Sequence, residues 1–172
     1  MQRETKICII GAIIAVFLQV VVAPNIAIFQ VMPNFLIVYT LVVAMLFSDD
    51  SVLVIAFVLG FVSDLLGYGP VGSLAFLLVL ASFFASRAHA AFANGTVLMP
   101  LVILMLFALV VDVLYAAFLL GLSSNLNPIE AFAYRAVPCA LYDCVVGLLL
   151  YPLLSRLLTN SQLQMKSVSR LR

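Results

Sequence analysis

The sequence predicts an all-α integral membrane protein with six transmembrane helices and both termini in the cytoplasm. Three observations carry that expectation. Of 172 residues, 66% are hydrophobic and only 9% are charged, whereas a soluble domain carries about 25% charged residues. Mean hydropathy is +1.30. The chain also divides into six apolar runs, at about 7–23, 34–47, 52–66, 72–86, 97–121 and 136–158. One domain, 1–158, holds all six, and 159–172 reads as a basic cytoplasmic tail.

The first run, Ile7 to Val22, is too long for the core of a signal peptide, and no A-x-A cleavage pattern follows it. It is expected to stay as the first span. "APNIAIFQVMPN" then places Pro24 and Pro33 each before an asparagine, which predicts an irregular or short interfacial segment. Treating 24–47 as one bent segment gives the same number of crossings. The next three runs hold about 15 residues each, roughly 22 Å of helix, against the ~20 residues that a bilayer core requires. They span if flanking residues enter the membrane or the bilayer thins.

Short turns join them. "SDDS", 48–51, and "GYGP", 67–70, force the second, third and fourth helices into antiparallel hairpins. Gly67 and Gly69 are expected to accept positive φ, and Pro70 to stop the helix. In "NPIE", Asn127 is a candidate N-cap with Pro128 at N1 and Glu130 at N3, starting a short surface helix. Pro138 is expected to bend the chain into the sixth span.

Orientation follows from Lys and Arg. With the N-terminus inside, Arg3, Lys6, Arg87, Arg156, Lys166, Arg170 and Arg172 fall on the inner side and Arg135 alone on the outer. That asymmetry satisfies the positive-inside rule. The basic tail reads either as a topology signal or as a segment lying on anionic lipid. Net charge is only +1, so no nucleic-acid partner is implied.

Four ionisable groups sit within or at the rim of these runs: Asp64, Asp112, Asp143 and Arg135. An aspartate at mid-bilayer costs about 2.5–3.5 kcal/mol on insertion scales, so each needs a partner, water or a proton. Counted along the helices, Asp112 lies ~14 Å and Asp143 ~11 Å below the outer helix ends. Asp64 lies near an outer end. All three share the outer half with Arg135, which predicts one polar cluster between helices, with Arg135 as a counter-ion. A cluster of this kind staples helices together or meets a partner. The sharper readings are an outward-opening ligand or ion pocket, and a catalytic site. "LYD" at 141–143 resembles half of the signature of intramembrane aspartyl proteases, but the other half, G-x-G-D, is missing: the chain reads "GFVSD" before Leu65.

No other catalytic or cofactor chemistry is legible. His89 is the only histidine and falls in an inner loop; Cys8, Cys139 and Cys144 lack C-x-x-C spacing. No metal, cofactor or nucleophile set is expected. Small residues recur at helical spacing instead: Gly11/Ala15, Ala81/Ala85 and Ser82/Ser86. Such pairs let helices approach closely, within the protein or against a partner's helix.

One block has a familiar order: Pro33-Asn34, a hairpin, then Gly60, Phe61, Asp64, Gly67 and Gly72, and much later "LYD…LLLYPLL" from Leu141 to Leu154. It resembles the rod-shape-determining membrane protein family MreD. The resemblance implies a non-catalytic subunit of bacterial cell-wall elongation in the inner membrane. It implies binding to MreC, a single-span protein with a large periplasmic domain, in one assembly with RodA, its transpeptidase partner and MreB filaments. It also implies a fold similar to the substrate-binding subunits of energy-coupling-factor vitamin transporters. A small-molecule-binding transporter subunit is therefore the second reading. Those subunits dock through an alanine pair on the first helix, where this chain has Gly11/Ala15. In either reading, Pro33, Gly60, Gly67, Gly69, Pro70 and Gly72 serve packing and turning.

Overall fold

The computed structural model describes residues 2–27, 31–47, 51–67, 69–92, 98–122 and 137–169. Their helices are α1 Gln2–Phe17, α2 Phe35–Leu46, α3 Ser51–Leu66, α4 Ser73–Phe92, α5 Leu98–Leu122 and α6 Val137–Ser169. A π turn, Leu18–Val22, and a 3-10 turn, Ala23–Ile26, prolong α1. Pro24 falls in the first turn of that 3-10 piece, where its missing N–H is not needed. The turn at 48–50, the expected N-cap group Asn127 to Glu130, and Arg135 lie outside the described residues.

Six spans are expected, three of them short; among the described residues four helices are long and apolar enough to cross a membrane: Lys6–Ile26, Ser73–Phe92, Leu98–Gly121 and Val137–Arg156. They describe a multi-pass membrane protein. α2 and α3 are shorter, with 12 and 16 residues. The reason for α2 lies in its surroundings. Every residue from Phe35 to Met45 is buried, so its neighbours are other helices and not lipid. The ~20-residue rule describes a helix that must hide its own backbone from hydrocarbon. A helix sheathed by protein is released from it.

α2 is thus the axis of the bundle. Leu41, Val42 and Met45 pack with Leu74, Leu78 and Ala81 of α4, Leu104 and Val111 of α5 and Val146 of α6. A second cluster joins Leu36, Tyr39 and Val43 of α2 to Cys8 and Ala15 of α1 and Leu59 of α3. The outside is apolar as well: Ile13, Val54, Phe76, Val102 and Leu149 are all exposed. A surface of that kind belongs in lipid and not in water.

Gly11/Ala15, Ala81/Ala85 and Ser82 face inward, whereas Ser86 is partly exposed. A Cβ on Gly11 would lie 2.5 Å from the Tyr39 hydroxyl, so glycine lets the α2 ring lie against the α1 backbone. The same hydroxyl donates to the Cys8 carbonyl at 2.7 Å. Ala15, Ala81, Ser82 and Ala85 are buried too.

Two boundaries and the role of one proline differ from expectation. α4 runs past 86 to Phe92, because "SRAHAAF" is rich in helix-favouring alanine and holds no breaker. Arg87 and His89 therefore sit on a helix and not in a loop, and Arg87 lies over the Phe83 ring at 5.0 Å. α6 continues past 158 to Ser169. Pro138 falls in its first turn, a position that tolerates proline; the proline inside the helix is Pro152.

Candidate functional site

Polar side chains gather at one end of the bundle, around the N-termini of α4 and α2. A helix start leaves four backbone N–H groups without intrahelical acceptors. In a membrane interior, water is not there to take them. Both starts are supplied by side chains from other elements.

Asp64, at the end of α3, supplies α4. Its Oδ2 accepts from Gly72 N at 2.9 Å, Leu74 N at 3.1 Å and Ala75 N at 3.2 Å, and its Oδ1 lies 3.2 Å from Leu74 N. Only 1% of Asp64 is exposed. A carboxylate placed there also meets the positive end of the helix dipole. The turn around it is built to allow this contact. A Cβ on Gly60 would lie 2.5 Å from the Ala75 Cα and 2.8 Å from its nitrogen, so α3 and α4 touch backbone to backbone. Gly67 N closes α3 by donating to Ser63 O at 3.0 Å. Pro70 O accepts from both the nitrogen and the hydroxyl of Ser73. The positive φ, +96°, falls on Gly72 and not on Gly67 or Gly69. Gly69 is small for another reason: a Cβ there would run into the Tyr115 hydroxyl of α5.

The start of α2 draws on three elements. Asn34 is its N-cap, and its Oδ1 accepts from Leu36 N and Ile37 N, each at 3.2 Å. Phe35 N donates to Gln19 Oε1 at 2.8 Å, from the π turn that prolongs α1. Asn34 N donates to Asp143 Oδ1 of α6 at 2.6 Å, a short bond. Asp143 is 0% exposed. From the preceding residue of α6, the Tyr142 hydroxyl donates to Ile26 O at 2.8 Å, fastening α6 to the 3-10 turn. Buried Pro33 leads the chain into this cap.

Asp112 of α5 is half-buried and close enough to Asp143 for the two carboxylates to repel. Asp143 Oδ2 has no hydrogen-bond partner among the described residues. Such a pair is balanced by a shared proton, a water or a cation. The four expected residues therefore divide. Asp112 and Asp143 come together, Asp64 serves a different helix start, and Arg135 lies outside the described residues.

This geometry limits the chemistry. Both oxygens of Asp64 are taken by backbone amides and closed off from water. Among the described residues, no group of three or more His, Cys, Asp or Glu could hold a metal ion.

The sequence reading names Asn34 only within the family block and not as a cap, and it does not name Gln19 or Tyr115. Asn34 carried a signal, since Asn before an apolar run is an N-cap pattern. Gln19 carried a weaker one, as the lone polar residue of the first run. Tyr115 carried none, because its role depends on where α5 meets the α3–α4 turn. Gln19→Leu is expected to lower stability by about 1 kcal/mol, the worth of a cap, while Gln19→Glu keeps the acceptor and most of the stability. Thermal midpoints of the two variants in detergent check this; equal losses would show that the contact with Phe35 N is idle.

A family model described as rod shape-determining protein MreD matches residues 2–161. No curated protein matches the chain, and no solved structure does.

Proposed function

The chain belongs to the rod shape-determining MreD family, and from that premise we propose that it is a non-enzymatic scaffold of bacterial cell-wall elongation that binds the single-span protein MreC. Membership itself gives the role in rod shape determination. The rest is our reading: an inner-membrane protein of six crossings with both ends in the cytoplasm, working with RodA, its transpeptidase partner and MreB filaments.

One observation carries the scaffold reading. Two of the three intramembrane aspartates bind helix starts: Asp64 takes three backbone amides of the α4 region, and one oxygen of Asp143 takes that of Asn34. Carboxylates engaged in this way hold helices at fixed positions and leave little to offer a substrate. The orientation is supported by Lys6, Arg87 and Arg156, which fall toward the end of the bundle opposite Asp64 and Asp143. The transporter reading gains less. Gly11 and Ala15 turn toward α2 and not outward, and the groove between α1 and α3 is lined almost wholly by aliphatic side chains.

Affinity purification of the tagged chain from its native membrane tests the proposal. A single-span protein with a large periplasmic domain is expected to come with it. A vitamin-sized molecule together with an ATPase-driven docking subunit, and no single-span partner, would move the assignment to transport.

A further inference from the structure

We propose that Asp112 of α5 and Asp143 of α6 bind one proton between them, on Asp143 Oδ2. Asp143 is fully enclosed, at 0% exposed. Its Oδ1 accepts from Asn34 N at the start of α2, but its Oδ2 has no hydrogen-bond partner among the described residues. That oxygen lacks a donor, and the group beside it is another carboxyl.

Packing brings the two acids together. A Cβ on Gly147 of α6 would lie 2.8 Å from Leu104 Cδ2 of α5, which fixes the register of the two helices. From that contact Asp112 lies about 12 Å along α5, and Asp143 about 6 Å back along α6. Consecutive spans cross in opposite directions, so both acids lie toward the same end of the bundle, about one turn apart. Ala108 and Val111 of α5 and Val146 of α6, their neighbours in sequence, share one buried core cluster. Asp112 Oδ2 is itself closed off from solvent.

Two carboxylates in a medium of low dielectric repel strongly, and such a pair settles by sharing a proton. The proton supplies the donor that Oδ2 lacks and removes one of the two charges. The remaining charge meets the Asn34 amide and the positive start of α2. Around the pair, α5 brings Tyr115, α6 brings Cys139, Tyr142 and Cys144, and α2 and the turns Leu18–Ile26 bring no charged side chain. A metal ion fits less well. Hard cations take about six oxygen ligands, and no group of three or more His, Cys, Asp or Glu among the described residues could hold one. Through the shared proton, one carboxyl group ties α5, α6 and the start of α2 together.

Infrared spectra of the purified chain in detergent, taken in H2O and in D2O at neutral pH, test this. A carboxylic-acid carbonyl band that shifts on deuteration is expected, at a pH where ordinary aspartates are ionised. Asp112→Asn and Asp143→Asn are each expected to abolish it, since an amide on one side donates to a plain carboxylate on the other. Asp112→Asn should keep the fold, because its NH2 group takes the proton's place on Oδ2. Asp112→Leu cannot donate and is expected to have the lower thermal midpoint of the two. No such band in the unaltered chain, or one that outlasts both amide variants, would overturn the proposal. A thermal midpoint raised by sodium chloride and not by choline chloride at equal ionic strength would overturn it in favour of a metal ion. A band that appears only in Arg135→Gln would overturn it in favour of that arginine as the balancing charge.

Discussion

Gly60→Leu is expected to leave little folded protein in the membrane. The contact at Gly60 is with the Ala75 backbone, 2.5 Å from where a Cβ would stand. A flexible side chain could swing aside; a helix backbone cannot. Even Gly60→Ala must push α3 from α4, at about 1–3 kcal/mol for one misplaced methyl group. The shift also carries Asp64 away from the amides it serves, so the two losses compound. Gly121 is the control, since an added Cβ there meets nothing within 4 Å. Gly121→Ala is expected to be neutral or stabilising by up to ~1 kcal/mol. Thermal midpoints of monodisperse protein in detergent give the order Gly121→Ala, Gly60→Ala, Gly60→Leu. Equal midpoints for the two alanine variants would show that the α3–α4 contact is looser than described.

Asp64→Leu is expected to be the most damaging change of a single polar group. It leaves the amides of Gly72, Leu74 and Ala75 without the carboxylate that accepts from them. A buried, unsatisfied amide costs about 1–3 kcal/mol. Three approach the whole stability of a typical domain, about 5–15 kcal/mol. Insertion should survive, because no span is lost. Asp64→Asn keeps one oxygen to accept and gives up the charge, which is worth at most ~2 kcal/mol against a helix dipole. Wild type, then Asn, then Leu is the expected order, in folded yield and in recovery of the partner. A Leu variant as stable as wild type would remove Asp64 from any supporting role.

Residues 60–72 were the most legible part of the chain. A glycine, an acid and a Gly/Pro turn in close succession can be read as a hairpin with a polar anchor without any coordinates. Their division of labour was not legible. Which glycine takes positive φ, and which is small because of a distant tyrosine, depends on contacts across the bundle. The same limit applies to Asp143. Its depth could be counted along a helix, but its partner is the backbone of Asn34, and a backbone amide has no signature in sequence. The shortness of α2 was legible in its apolar run, but its enclosure by other helices, which releases it from the spanning rule, was not. Gln19 points at Phe35 because a π turn re-aims it, and nothing in "FLQVVVAP" announces that turn.

The amide of Asn34, which caps the central helix, waits for an acceptor 109 residues further along the chain. Synthesis proceeds at about 5–20 residues per second, so the delay is on the order of 5–20 s. Throughout that interval the nascent product carries its most enclosed segment with an unfinished start. A ribosome stalled before Asp143 would release a fragment that no rearrangement could complete, and the cell's membrane proteases would meet it with that end still open. The last helix made is the one that closes what the second began.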